Sequence, residues 1–161
     1  MTQNYYNIIL AAVFMGAISF SPQGLSNPAT PAQKKFIQAE IGSKKYTLEV
    51  ADTIGKREQG LSNRKNMDKN QGMIFIFEQP DNYKFCMYNM LFPLDFIWIR
   101  HDKVVNLTPD VPPPPTPNDY KDVTAFTVAE KFDKVIELNA GQIKSSKIKI
   151  GDAMKFSWPP K

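Results

Sequence analysis

Short stretches of alternating hydrophobic and polar residues recur along the chain, and this alternation predicts β-strands. The clearest stretch covers residues 45–50, where Tyr46, Leu48 and Val50 face inward from a half-buried strand. Similar but less regular patterns extend the prediction along most of the chain. Further strands are predicted at residues 73–77, 84–90, 94–99, 104–107, 134–138 and 153–156.

Two short helical segments interrupt these strands. Thr53 is a favourable N-cap and Gly60 a favourable left-handed C-cap for a helix between them. Residues 139–141 introduce a second helical turn that runs to Ser146. About seven short strands with two short helices predict a mainly β fold, a single compact domain of barrel-like or sandwich-like form.

The most hydrophobic part of the chain, residues 72–99, also contains polar side chains that need partners. In the predicted strand 84–90, Met87 and Asn89 share one face, and Asp95 follows in the next strand. An amide or carboxylate buried without a partner costs a few kcal/mol. These side chains are therefore expected either to be paired inside the fold or to line a pocket.

Two arginines are candidate partners for Asp95. Arg57 lies in the predicted first helix and Arg64 in the loop after it, and a guanidinium can pair with a carboxylate through two hydrogen bonds. One interpretation is a buried ion pair that only stabilises the fold. The other is a pocket for a small polar or anionic ligand, lined by Arg57, Arg64, Met87, Tyr88, Asn89 and Asp95.

The N-terminal residues differ from the rest because residues 1–26 carry no charge. Residues 8–20 form an apolar run that is too short for a membrane span of about 20 residues. Such a run is typical of a secretory signal peptide. We expect residues 1–26 to be that signal, 27–35 a disordered tether, and 36–158 the exported domain, periplasmic or extracellular, with no transmembrane span.

Composition limits the chemistry. The formal net charge is +4, and lysines alternate with acidic residues, which indicates a solvated surface rather than a nucleic-acid-binding stripe. One cysteine rules out an internal disulfide, and one histidine with scattered acidic residues gives no metal-ligand cluster. The sequence therefore predicts no cofactor, no metal and no nucleic-acid partner, and we expect a monomer.

Several fragments together resemble the domain of unknown function family 192, a widespread prokaryotic family. The family pattern includes Arg-x-x-Gly-Leu, a Gly-Met run of alternating hydrophobic and Phe residues, Phe-Trp-Met-Lys-Asn-Thr, Pro-Leu-Asp, and a late Leu-Glu-hydrophobic-x-Ala-Gly before Gly-Asp. The corresponding fragments occur in this order at residues 57–61, 72–77, 85–90, 93–95, 136–141 and 151–152.

This resemblance covers about residues 45–156 and implies a single mainly β domain, often exported, with no established activity or cofactor. Arg64, Asn89 and Asp95 match polar positions of the family's pattern. The chain departs from the pattern at three positions, where the family has Trp, Lys and Thr and this chain has Cys86, Tyr88 and Met90.

Three functions remain open from the sequence. The first is an exported, non-enzymatic binding or accessory module with a small polar pocket. The second is a hydrolase in which Asp95 acts as general base and Arg64 stabilises an anion. The third is an envelope protein-interaction domain acting through residues 109–117, a proline-rich segment predicted to be extended polyproline rather than strand.

Overall fold

The computed structural model describes residues 34–116, 119, 121 and 123–157. The expected signal peptide at residues 1–26 and all but the end of the expected tether lie outside the described residues. The described part contains seven strands and two short helices. In chain order these are β1 (Phe36–Ile41), β2 (Lys44–Ala51), α1 (Ile54–Gln59), β3 (Gln71–Asp81), β4 (Leu94–Arg100), β5 (Lys103–Val111), β6 (Phe132–Asn139), α2 (Gln142–Ser145) and β7 (Lys155–Ser157).

The seven strands form one sheet in the order β5-β4-β6-β3-β2-β1-β7. The pairing of β2 with β3 is parallel, and the other strand pairs are antiparallel. The sheet is open, but a bridge between Lys103 and Ala153 connects the start of the β5 edge with the chain just before β7. The predicted mainly β fold is therefore confirmed.

Two hydrophobic clusters cover the two faces of the sheet. We call them the Tyr46 face and the Trp98 face, because successive strand residues alternate between them. The Tyr46 face includes Ile37, Tyr46, Leu48, Ile74, Ile97, Ile99, Ile136 and Leu138. The Trp98 face includes Met73, Phe75, Phe77, Phe85, Met87, Phe96, Trp98 and Val135.

Local sequence signals locate α1 as predicted. Thr53 is its N-cap, with the side-chain oxygen accepting from the Lys56 backbone N–H, and Gly60 ends it at a φ of 48°. The helix has no buried residue of its own. Leu61, the residue after the cap, is instead buried in the Trp98 face, so α1 lies over that side of the sheet.

The predicted strand at residues 84–90 is wrong. This segment makes only an isolated bridge between Phe85 and Phe126, and the chain turns at Asn89, whose φ is 57°. Its Phe85, Met87 and Met90 side chains are buried in the Trp98 face. The segment is apolar because it covers a hydrophobic face, and not because it is a strand inside the sheet.

Two strands also continue further than predicted, through prolines. β3 continues past residue 77 through Pro80 with a register shift, and β5 continues through Pro109 to Val111. β5 is an edge strand, where a residue without an N–H is tolerated. The expectation that residues 109–111 are polyproline is therefore wrong. β7 begins at Lys155 rather than at Ala153.

Within the described residues, neither helix is long and apolar enough to span a bilayer.

Candidate functional site

Asp95 is enclosed on the Tyr46 face of the sheet. Its side chain is fully buried, and both carboxylate oxygens accept backbone hydrogen bonds: Oδ1 from the Asp110 N–H at 2.8 Å and Oδ2 from the Ile143 N–H at 2.7 Å. Asp95 thereby connects β4 with the end of β5 and the start of α2. These two hydrogen bonds hold the three elements together.

Neither arginine pairs with Asp95. The Arg64 Nη2 donates to Glu49 Oε2 at 2.8 Å, and this pair is mostly shielded from solvent. The Arg57 Nη1 donates to the Ile76 carbonyl oxygen at 2.8 Å, and its guanidinium carbon lies 5.2 Å from the centre of the Phe77 ring. The expected ion pair is absent because Asp95 faces the opposite side of the sheet from both arginines.

Asn89 occupies a tight turn beside α1. Its backbone φ of 57° is a left-handed conformation that asparagine tolerates, and its carbonyl oxygen accepts from the Asn63 N–H at 2.8 Å. The buried Oδ1 atom has no hydrogen-bond partner in the described part of the chain. Asn89 lines a groove of about 340 Å³ along α1, together with Gly55, Glu58, Gln59, Ser62, Asn63 and Tyr88.

A smaller cavity lies between α1, the segment 84–90 and the Trp98 face. It has a volume of about 60 Å³, which is enough for a few water molecules. We call it the Glu137 cavity. Its lining residues are Arg57, Glu58, Gln59, Gly60, Leu61, Ser62, Phe75, Lys84, Phe85, Cys86, Tyr88, Met90 and Glu137. It shares Glu58, Gln59, Ser62 and Tyr88 with the groove at Asn89, so the two spaces adjoin.

Glu137 is the buried acid of this cavity. It lies on β6 between Ile136 and Leu138, which point to the Tyr46 face, so its own side chain points to the Trp98 face. Only 6% of the residue is exposed, and no hydrogen bond or ion pair to its carboxyl group is found among the described residues. A buried acid that lines a cavity without a partner is a candidate for binding or chemistry.

Burial raises the pKa of Glu137 from its ordinary value of 4.5 to about 8, and the charge of Arg64 opposes that rise. The carboxyl group is therefore protonated at neutral pH, when it can donate as well as accept a hydrogen bond. Arg64 lies nearby because Glu49 and Glu137 both pair with Met73 of β3, from opposite sides. Arg64 is anchored on Glu49 while its charge acts on Glu137.

Comparison with protein families gives a match over most of the chain. The DUF192 family, described as "Uncharacterized ACR", matches residues 37–156, which is most of the chain. The chain belongs to the DUF192 family. The resemblance seen in the sequence fragments is thereby confirmed. A search of the curated proteins finds no match.

Two crystal structures resemble this DUF192 domain. One is a candidate transcription regulator from Sinorhizobium meliloti 1021, with 26% identity, a TM-score of 0.65, and coverage of 77% of this chain and 94% of that one. The other is a protein of unknown function from Novosphingobium aromaticivorans DSM 12444, with 26% identity, a TM-score of 0.64, and coverage of 87% and 99%. The chain therefore shares the fold of both proteins over nearly their full length.

The six predicted ligand-binding residues do not converge in this DUF192 domain. Arg57 and Tyr88 line the Glu137 cavity, and Tyr88 and Asn89 line the adjoining groove. Of the remaining three, Arg64 binds Glu49 near Glu137 without lining the cavity, Met87 is buried beside the proline segment, and Asp95 lies on the opposite face of the sheet. Ligand binding stays a prediction, with Arg57, Tyr88 and Asn89 at the Glu137 cavity and the adjoining groove.

Sequence reasoning missed Glu137 as a site residue, although its signal was present. Residues 135–138 read Val-Ile-Glu-Leu, so the acid is surrounded by hydrophobic neighbours within a predicted strand. In a strand whose two faces are both covered by hydrophobic residues, a charged side chain has no face that points to solvent. The family pattern also contains this Glu, but the pattern alone does not indicate which face it occupies.

The residues that the structure describes contain no group of three His, Cys, Asp or Glu side chains placed to bind a metal ion. Cys86 is a free, half-buried thiol.

The proline-rich segment lies against the body of the domain. Met87 and Phe126 line a mainly apolar groove of about 280 Å³ with Val111, Val123, Thr124 and the prolines of residues 112–115. Pro113 and Pro114 are half-buried, whereas Pro112 and Pro115 are exposed. Recognition of a partner by residues 109–117 stays a prediction.

Proposed function

We propose that this DUF192 protein is a non-enzymatic binding module that holds a small polar or anionic molecule in the Glu137 cavity. The observation that carries the proposal is the Glu137 carboxyl group, which is buried at the cavity wall without a hydrogen bond or ion pair among the described residues. A buried polar group without a partner costs free energy, and a bound ligand that pairs with it recovers part of that cost.

The surrounding charges favour an anionic ligand. Several charged and titratable residues line the cavity with Glu137. They are Arg57 and Glu58 of α1 and Lys84, Cys86 and Tyr88 of the segment 84–90. Arg57 uses one N–H on the Ile76 carbonyl, and a guanidinium has further donors to offer. A carboxylate that accepts a hydrogen bond from protonated Glu137 fits this arrangement.

The size of the cavity limits the part of the ligand that enters it. About 60 Å³ accommodates a group such as acetate, and a larger molecule would extend into the groove along α1. We therefore expect small carboxylates to bind, and longer ones to bind only when the remainder of the molecule can lie against the groove. Asn89 and Asn63 line that groove.

The hydrolase alternative has no geometric support. It requires Asp95 and Arg64 at one reacting group, but Asp95 faces the Tyr46 side while Arg64 binds Glu49 on the other side of the sheet. The Asp95 oxygens also accept two backbone hydrogen bonds. A general base has to reach the substrate proton, and Asp95 is fully buried.

A nucleic-acid function has little support as well. The Sinorhizobium meliloti protein is described as a candidate transcription regulator. DNA binding requires a continuous basic surface. In this chain several lysines instead pair with acidic residues, including Lys34 with Glu49 and Lys134 with Asp102 and Asp133.

We further propose that the protein acts outside the cytoplasm. The support is the uncharged N-terminal sequence with its apolar run at residues 8–20. The check is to express the full chain in a bacterial host, fractionate the cells and measure the mass of the product. Export predicts a periplasmic or secreted form that begins near residue 27. A full-length product confined to the cytoplasm would contradict it.

A ligand screen by thermal unfolding tests the binding proposal. Small carboxylates should raise the Tm of the wild-type protein at pH 6, where Glu137 is protonated, and much less at pH 9, where it is charged and repels them. Glu137→Gln keeps a neutral donor at every pH, so it should be stabilised equally at pH 6 and pH 9.

The matched control is Glu78→Gln, which changes an exposed glutamate of β3 and should behave as the wild type does. Equal stabilisation of the wild type at both pH values would refute the role of Glu137. So would a Glu137→Gln variant with the pH dependence of the wild type.

A further inference from the structure

Cys86 is the one cysteine of the sequence, and it is one of the residues that line the Glu137 cavity. Its neighbours Phe85 and Met87 are buried in the Trp98 face, whereas Cys86 itself is half-buried. The residue thus keeps partial solvent access at the wall of the cavity. The binding function proposed above does not use it.

The same cavity supplies groups that could assist a reaction at sulfur. Glu137 is an acid without a hydrogen-bond partner among the described residues, and Arg57 and Lys84 place positive charge at the wall. With a volume of about 60 Å³, the cavity admits a group of a few heavy atoms, whereas a reactant that is branched and bulky right next to its peroxide group does not fit. A small reactant in the cavity would thus have Cys86 and Glu137 both at its walls.

We propose that Cys86 is a site of oxidation by hydrogen peroxide and similarly small hydroperoxides, which convert its thiol to a sulfenic acid inside the Glu137 cavity. This inference goes beyond the binding function. It depends on the cavity but not on the presence of a ligand.

The reaction balances with the peroxide as the oxidant. The thiol releases its proton to solvent, and the sulfur attacks one peroxide oxygen while the O–O bond breaks. The sulfur is oxidised by two electrons, and the leaving hydroxide takes the proton of the Glu137 carboxyl group to form water. Glu137 then regains a proton from solvent. Arg57 and Lys84 stabilise the negative charge on the leaving oxygen.

The absence of a second cysteine from the sequence determines the fate of the sulfenic acid, because it cannot form a disulfide within the chain. The sulfenic acid is instead reduced by an external thiol or, with excess peroxide, oxidised further to a sulfinic acid. The oxidised form would therefore also change the shape of the proposed ligand site.

The test compares the native protein with the same chain in denaturant, which gives the intrinsic reactivity of the thiol. The full chain is treated with hydrogen peroxide, the sulfenic acid is trapped with dimedone, and the second-order rate is followed by mass spectrometry. Positioned acid catalysis predicts a native rate at least roughly tenfold above that of the denatured chain. A native rate at or below the denatured rate would overturn the proposal.

Two further comparisons assign the cause. Glu137→Gln keeps the size of the side chain but has no acidic proton, so its rate should fall towards the denatured value, while Glu78→Gln keeps the wild-type rate. Wild-type protein should react with bulky cumene hydroperoxide no faster in the native than in the denatured state. If cumene hydroperoxide shows the same native enhancement as hydrogen peroxide, the cavity is not the reaction site and the proposal fails, even if Glu137→Gln does not fold.

Discussion

The pKa of Glu137 differs from that of an ordinary glutamate because of where the residue lies in the fold. Its hydrophobic neighbours in β6 direct the carboxyl group to the Trp98 face, and α1 with the segment 84–90 covers it. Burial there raises its pKa to about 8. At neutral pH the residue is therefore a neutral acid at the cavity wall, and its burial there lowers the stability of the folded protein.

The raised pKa predicts how stability depends on pH. Between about 4.5 and 8 the folded protein keeps the Glu137 proton while the unfolded chain loses it, so the free energy of unfolding falls as pH rises through that range. Glu137→Gln removes this term, and it should gain on the order of a few kcal/mol over the wild type at pH 9 relative to pH 4. Urea unfolding at pH 4, 7 and 9 measures the difference.

The control for this prediction is Glu78→Gln, whose difference from the wild type should not change with pH because the glutamate is exposed. A difference between Glu137→Gln and the wild type that stays constant from pH 4 to pH 9 would show that Glu137 has an ordinary pKa.

At the scale of secondary-structure elements, the sequence was informative where a local rule acts and misleading where tertiary packing decides. Thr53 and Gly60 bound α1 because capping depends on neighbouring residues only. The segment 84–90 is as hydrophobic as a central strand, but it forms a cover with a turn at Asn89. A segment that covers one face of a sheet and a strand inside the sheet are both hydrophobic. The sequence could therefore not distinguish the two.

Asp95 is predicted to stabilise the junction of three elements. Asp95→Ala leaves the Asp110 and Ile143 N–H groups without their acceptor and should lower the free energy of unfolding by roughly 2–4 kcal/mol. Urea unfolding measures this loss. Asp81→Ala, which removes only an exposed pair with Lys131, should cost less than about 1 kcal/mol.

The same variant separates stability from binding. Below its unfolding transition, Asp95→Ala should still bind small carboxylates, because the Glu137 cavity lies on the opposite face of the sheet. Loss of binding in a variant that remains folded would show that Asp95 belongs to the ligand site.

Gly72 permits the close approach of β3 and β6 beside Glu137. A Cβ at this position would lie 2.6 Å from the Glu137 carbonyl oxygen and 2.6 Å from Leu138 Cδ2. Gly72→Ala should therefore cost roughly 1–3 kcal/mol, since a backbone oxygen cannot move aside as a side chain can. The measurement is again urea unfolding.

Gly55→Ala is the matched control for that change. An added Cβ on Gly55 meets nothing within 4 Å, and alanine favours the helix, so stability should be unchanged or higher by up to about 1 kcal/mol. Equal effects of the two substitutions would mean that Gly72 is not sterically required.

At the scale of the whole molecule, the fold was more predictable than the site. Alternation and caps predicted seven strands and two helices, and the described part of the chain has that number, although β1 was not predicted and the segment 84–90 is not a strand. The predicted grouping of Arg64 and Asn89 with Asp95 is not found, because such a prediction requires knowing which face of the sheet each side chain occupies. The faces are set by the pairing of β6 with β3 and β4, which joins residues far apart in the sequence.

The sheet therefore divides the polar positions of this DUF192 domain into two groups. Asp95 on the Tyr46 face joins elements together, while Arg57, Tyr88 and Glu137 line a cavity on the Trp98 face. The two groups are expected to respond differently to mutation, one through stability and the other through binding.

An NMR titration of the wild-type protein with acetate tests the central claim most directly. At pH 6, saturable shifts are predicted for backbone amides of residues 57–62, 84–88 and 137, while those of Asp95, Asp110 and Ile143 stay in place. At pH 9 the same titration should shift the cavity amides much less. Shifts centred on Asp95, or no saturable shift at the cavity at pH 6, would contradict the assignment of Glu137 as the site.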